Sequence, residues 1–586
     1  MYRFTVPFLL LFLIAGSSLA QSTDTSPEIP DPAGPTPTVT ENPDLVKRYQ
    51  ETITPEDLAS YLYVFASDYF EGRETSTRGQ KLAATYLAGQ YRKLGLTPMG
   101  TAAPHDSYAP AAYFQPVPLY TQKLKEAKLH VMQGSEVLST VSYGPGITDG
   151  DAYLVFGSLE KSEGSVVFAG YGIGDDELGY NDFAALESEK ISVGGKWVVL
   201  LGDEPLSDES TSLLPTSGNV PSSWTESPNN KLRGLLQLGG MPAGILIVND
   251  LGPRAIDVKE RAMERAEAIT TEIGSLSLSE NSGGRPFPPI YSVTASLADV
   301  IIGSNGKSIR EIKKGIDSSL EPIVFEIDGV SLSSTLMMEA SEAPSENVVA
   351  FIEGSDDALK DEVVVVSSHY DHIGIEADGD GDRINNGADD DGSGTVAILE
   401  MAEAFMTAKA DGHGPRRSIL FMNVTGEEKG LLGSQYFTDT DPLVPLENVV
   451  TNLNIDMIGR FDPGHPTGSE NYVYIIGSNL ISQELHDINQ RVNELTATNL
   501  ELDERFNSKD DPNQFYRRSD HWNFGKHSIP FIFFFTGTHA DYHGVGDEPE
   551  KIEYERMTRI TRLIFATAWQ VANQDARPAI SGEGFN

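Results

Sequence analysis

Cysteine is absent from all 586 residues. That absence excludes disulfides, thiolate zinc sites and thiol nucleophiles, so any metal must be held by His, Asp and Glu. Basic residues are scarce: 43 Lys and Arg stand against 86 Asp and Glu, a net charge of −43. Such a surface repels nucleic acid and anionic lipid, and no nucleic-acid partner is expected. It favours cations, including metal ions and protonated amines. Adaptation to a salty medium is the weightier explanation of the charge, which by itself identifies no substrate. Apolar residues, at 39%, are not scarce, and the length exceeds one ordinary core, which points to two or three folded units.

The N-terminus carries a basic residue, an apolar stretch and a small-residue ending at Ser18-Leu-Ala20. This is the pattern of a secretory signal peptide over 1–20, with an apolar run short for a membrane span. No cysteine follows for a lipid anchor. The expectation is an exported chain, periplasmic or secreted, with no stable membrane insertion after cleavage.

Residues 21–50, rich in Pro, Thr, Ser and acids, read as a disordered linker. Helices follow: Thr54-Pro-Glu-Asp57 offers an N-cap with Pro at the first helical position, and a second helix spans about 78–94 with Gly95 as its stop. The N-terminal helical part is placed at 51–129, packing on the C-terminal domain. Over 130–330, short β-like runs alternate with Gly-rich turns and a few helical segments, as in a separate smaller α+β domain rich in strand. From about 335 to 575 strands and helices alternate, which indicates an α/β domain with a mixed, mainly parallel central sheet flanked by helices; 576–586 is a tail.

The chemistry concentrates where strands of this last domain end, the usual place for a site in such sheets. Val363–Ser368 runs into His369-Tyr-Asp371, Ser418–Thr425 into Glu427-Glu428, Thr451–Ile455 into Asp456, and Pro530–Phe535 leads through a loop to Tyr542-His543. A further cluster, Asn385-Asn-Gly-Ala-Asp-Asp-Asp-Gly-Ser-Gly394, precedes a helix, whose N-terminal dipole favours anions. Each alone reads as a cap or a hydrogen-bonding group. Together, two imidazoles and three carboxylates suit two adjacent divalent cations, one carboxylate bridging, with room for water.

His369-Tyr-Asp371, Gly387–Gly394, Gly426-Glu-Glu428, Asn454-Ile-Asp456-Met and Asp541-Tyr-His543 resemble, in order, the signatures of the M28 family of zinc peptidases. Glu71-Gly-Arg-Glu-Thr75 with its helix and Gly95-Leu-Thr-Pro98 is similar to the N-terminal part of many members, and 130–330 resembles a protease-associated (PA) domain. The resemblance implies two zinc ions per chain, His369 and Asp456 on one, Glu428 and His543 on the other, Asp389 bridging. Asp371 would hold the ring of His369, Glu427 would be the general base, and Tyr542 would donate to the oxyanion. It implies peptide or protein substrates and a metallo-aminopeptidase. A carboxypeptidase or dipeptidase of the family, a glutaminyl cyclase and a binding protein without catalysis are the alternatives.

Asp378-Gly-Asp-Gly-Asp382 resembles the start of a calcium loop but lacks its turn glycine, so at most weak Ca2+ binding is expected. His372, His521 and His539 lie near the motifs and read equally as pocket-lining or structural.

Overall fold

The computed structural model describes residues 35–582 and 584, apart from 104–105, 107, 227, 239, 269–274, 281–286, 304–305, 377–380 and 466–469. The expected signal peptide at 1–20 lies outside the described residues, as does most of the calcium-like stretch at 378–382.

The C-terminal half is built on a mixed sheet of nine strands. Val363–His369, Ser418–Val424, Val449–Ile455 and Phe531–Phe535 are its parallel centre. Ser345–Ile352 joins one side and Tyr472–Ile476 the other, both antiparallel. Every residue of the central strands is buried, because both faces are covered; hence the continuous apolar runs rather than alternation. Gly394–Ala410 crosses over between the first two. It is apolar nearly all round because it packs between Val363–His369 and the helices Pro55–Phe65, Arg78–Leu94 and Tyr554–Asn573.

Since the central strands run parallel, their carboxyl ends share one edge of the sheet. His369, Glu427 and Glu428, Asp456, and the loop to His543 all leave from that edge. Within the stretch 21–50, expected as a disordered linker, the described residues 35–50 are ordered. Pro43–Gln50 is a helix capped by the Asn42 side chain, which accepts from Leu45 N. Val39, Val46 and Tyr49 are fully buried, Trp569 Nε1 donates to Pro37 O at 2.9 Å, and Thr36 Oγ1 donates to Gly414 O at 2.7 Å. The Pro and Thr content hides an apolar spacing that finds a partner surface on Gly394–Ala410 and Tyr554–Asn573.

A second sheet of ten strands is drawn from Tyr120 to Glu342, wider at both ends than the 130–330 expected. The strand Val324–Glu342 runs antiparallel to Tyr120–Gln133 and to Lys161–Ala169. Trp197–Leu201, Gly244–Val248 and Ile290–Val293 form its parallel part. It encloses its own apolar core around Trp197, Phe168 and Ile301. The chain enters and leaves side by side, with Ala343 N donating to Leu119 O. Leu276 packs with Leu432, just beyond the paired glutamates.

Candidate metal centre

Asp390 occupies the middle of the polar cluster. One of its oxygens, Oδ1, lies 3.2 Å from His369 Nε2, and the other, Oδ2, lies 3.1 Å from His543 Nε2. Around these two histidines, Asp456 Oδ1 is 3.6 Å from His369 Nε2, and Glu428 Oε2 is 3.2 Å from His543 Nε2. The fold therefore unites His369, Asp456, Glu428 and His543, as the motifs suggest, but a different aspartate stands between them. Asp389 turns away: its Oδ1 accepts from Gly459 N at 2.6 Å and its Oδ2 faces His539 Nε2 at 3.3 Å. The reason is local. Asp390 and Asp391 leave the helical path, at φ −100°, ψ 101° and φ −111°, ψ 51°, so successive side chains diverge.

Two further residues enter that sequence reading left out of the ligand set. His372 Nδ1 lies 2.9 Å from Glu428 Oε1 and 3.8 Å from Asp390 Oδ2. Asp391 joins His369 and Asp456 in one group of converging donors, and His372, Asp390 and Glu428 form a second, donor atoms lying within 4.8 Å inside each group. The only sequence hints were nearness to His369 and the run of three aspartates. His521 is elsewhere, buried and stacked on Phe533, with a pKa pushed down to about 3 by burial.

Asp371 also differs from expectation. The His369 Nδ1–H donates to the main-chain carbonyl of Asp371 at 3.0 Å, whereas the carboxylate stands 3.9 Å off. That carboxylate instead accepts from Thr75 Oγ1 at 2.6 Å and from Glu427 N at 3.2 Å. So the backbone orients the ring, and the Asp371 side chain anchors the strand end that carries Glu427.

The electrostatics follow from burying acids together. Burial, then the Asp456 charge, raises Asp391 well above the carboxylate range. Burial likewise raises Glu427, with Asp456, Asp520 and Glu428 adding to it against the opposing charge of His369. His369 is held well above an ordinary imidazole: burial opposes its charge, but Glu427 and Asp456 outweigh that. Burial opposes charge on His543 too, and hydrogen bonds to Asp390 and Glu428 lift it to about 10. Asp390 stays well below the usual range because hydrogen bonds from His369 and His543 overcome its desolvation.

These donors suit divalent cations. They are imidazoles and carboxylates only, the set that takes zinc and similar ions. Asp391 Oδ2 is buried without a hydrogen-bond partner among the described residues, and an isolated buried anion costs several kcal/mol. In the metal-free chain, protons stand in for the missing positive charge.

His369 and His543 bind protons in the folded chain that the unfolded chain releases near its ordinary value of 6.5, so their contribution is full below 6.5 and is lost as pH rises toward about 10. Glu427 and Asp391, also raised, act the same way, while Asp390 and Glu428, both lowered, are constant across this window. The Tm gap between zinc-loaded and chelator-stripped protein should therefore widen from pH 6.5 to 9 in thermal melts. A constant gap would contradict the assignment. Comparing the two forms cancels groups elsewhere, such as Lys231, whose burial lowers it to about 8.

A cleft opens beside the cluster. Asp390, Glu427, Asp456 and His543 form its polar side, and Met457, Phe515, Phe533 and Phe535 an apolar wall, with Arg518, Thr538 and Tyr542 completing it. Tyr542 stacks on His543 at 3.9 Å between ring centroids. Burial and the charges of Asp390 and Glu428 raise its pKa, so its hydroxyl remains a donor. Arg518 lies over the Phe515 ring at 5.1 Å.

Residues 347–568, which span the ligand-bearing strands, match the sequence model of Peptidase family M28. They belong to that family. This chain is 28% identical over 203 residues to leupeptin-inactivating enzyme 1 of Streptomyces exfoliatus, covering 34% of this chain and 43% of that protein. A probable zinc metalloprotease of Pyricularia oryzae is 30% identical over 271 residues (39% of this chain, 50% of that protein), and aminopeptidase YwaD of Bacillus subtilis is 25% identical over 301 (48% and 59%). The chain thus spans about half the length of the curated relatives it matches. The solved aminopeptidase from Aneurinibacillus sp. strain AM-1 is 14% identical with a TM-score of 0.47, over 92% of this chain and 98% of that one. Among the described residues, no helix is long and apolar enough to cross a membrane.

Proposed function

We propose that this chain is an exported metallo-aminopeptidase that hydrolyses N-terminal peptide bonds with two divalent cations, zinc by family, and Glu427 as general base. The observation that carries the reading is Asp390, with one oxygen toward His369 and the other toward His543. His369 and Asp456 would hold one cation, with Asp391 beside them; Glu428 and His543, with His372 beside them, would hold the other; Asp390 would serve both. When bound there, cations would polarise the scissile carbonyl and lower the pKa of water from 15.7 toward about 7.

Glu427 belongs to neither converging group and lines the cleft, so it is free to take a proton from the attacking water and return it to the leaving amine. Its amide is tied to Asp371, which limits drift of the carboxylate. The Tyr542 hydroxyl is a donor for the developing oxyanion. The surrounding acids favour a substrate ammonium, and the apolar wall favours a large apolar first residue. Replacing that residue, Leu, by Ala should lower kcat/KM by at least about tenfold, since each buried methylene is worth roughly 1–3 kcal/mol.

Arg518 favours a second reading. A guanidinium in the cleft can pair with a substrate carboxylate, as a carboxypeptidase requires, and a probable glutamate carboxypeptidase of Arabidopsis thaliana is 28% identical over 277 residues. Free-amine and N-acetylated forms of one peptide separate the two. Cleavage confined to the free amine supports the aminopeptidase, and cleavage of the blocked peptide from its other end overturns it.

A further inference from the structure

Arg73 is fully buried, and among the described residues its guanidinium pairs with no carboxylate. Its donors go to main-chain carbonyls on three segments. Nε donates to Tyr370 O at 2.9 Å, Nη1 to Asn386 O at 2.6 Å and Phe65 O at 3.3 Å, and Nη2 to Gly387 O at 2.9 Å. Its own carbonyl accepts from His372 N at 3.2 Å. The guanidinium carbon also sits 4.5 Å above the Phe65 ring.

The approach is close enough to require glycine next door. At Gly72, with φ +64°, a Cβ would meet Gly374 O at 2.5 Å and Asn385 O at 2.6 Å. The segment is thus wedged between the stretch that carries His369 and His372 and the stretch that leads to Asp390. Those stretches belong to one loop, in which Asn385 N donates to Gly374 O at 2.9 Å, and neither is a regular element at the contact. A planar fork with five donors can tie them at a fixed spacing, whereas a lysine ammonium cannot reach the same carbonyls together.

The two converging groups depend on this tie unequally. In the first, Asp391 Oδ1 accepts from Gly394 N at 2.9 Å and Met457 N at 3.1 Å, and His369 O accepts from Thr395 Oγ1 at 2.7 Å. That group is held by the long helix and the Asp456 strand end. In the second, His372 and Asp390 both come from the stretches that Arg73 joins, whereas the first meets that tie only through the shared Asp390 and keeps its other anchors.

We propose that Arg73 is a positioning residue for the metal cluster, setting the spacing of His372 and Asp390 and so the affinity of the second cation position. The proposal rests on the reading that this cluster holds two cations. The test is a zinc titration of chelator-stripped full-length protein against a chromophoric competitor, for wild type, Arg73→Lys and Arg73→Gln, with thermal melts alongside. Wild type is expected to take up two zinc ions. The variants should keep one site within about threefold and weaken the other by about 10–100-fold, the usual cost of removing a group that orients ligands. Saturating zinc should restore much of the lost kcat. If wild type binds fewer than two ions, the two-cation reading falls. If it binds two and a folded variant shows both sites unchanged, or both weakened alike, the positioning role falls. It falls too if both variants fail to fold with zinc in excess, since Arg73 would then serve the fold as a whole.

Discussion

Glu427→Gln should retain both metals and lose about three orders of magnitude in kcat, with KM little changed. Glutamine keeps the shape and the hydrogen-bonding reach of glutamate but cannot accept a proton, and a positioned general base contributes roughly 10²–10⁴-fold. The metal content should survive because Glu427 lies outside both converging donor groups, while Glu428 lies inside one. Glutamine should also raise the melting temperature of the metal-free protein above about pH 5, because burial beside Asp456, Asp520 and Glu428 obliges Glu427 to take up a proton on folding and glutamine needs none. Elemental analysis, steady-state kinetics with a free-amine peptide and a thermal melt test these together. A variant with kcat within tenfold of wild type would remove Glu427 from the proton path, and one with less metal would make it a ligand.

Asp390→Asn and Asp389→Asn should part sharply. The first removes the anionic oxygen that stands between His369 and His543, so metal content should fall below two per chain and activity should drop by at least about 10³-fold, as expected where catalysis rests on the metal. The second leaves an amide oxygen to accept from Gly459 N, the one strong bond that Asp389 makes by its side chain, so two metals should remain. Its cost is confined to the contact with His539. Metal content measured on the two purified variants decides the matter. Equal loss in both, or loss in Asp389→Asn alone, would return the bridging place to Asp389.

Much of the site was legible because strands buried on both faces write themselves as unbroken apolar runs. Val363–His369 and Ser418–Val424 could be read that way, and in a parallel sheet the residues just past such runs must gather at one edge. The helices at Pro55–Phe65 and Arg78–Leu94 were legible from Thr54 and Gly95 for the same kind of local reason: a cap satisfies specific backbone groups. Residues 35–50 were not, because what orders them is the surface of two distant helices rather than their own composition. His372 was passed over because a histidine three positions from a ligand carries no direction of its own in a loop.

The chain's order of residue types was enough to point to the kind of chemistry: no thiol, imidazoles and carboxylates at successive strand ends, and two adjacent glutamates among them. Which aspartate of Asp389, Asp390 and Asp391 faces the cluster was decided only by the tertiary structure, because irregular backbone has no period from which to infer where a side chain points. The same holds for Arg73, a lone basic residue in a short motif until folding surrounds it with the carbonyls of three separate segments. Periodicity governs regular elements, and the contacts that aim this site are made where the elements end.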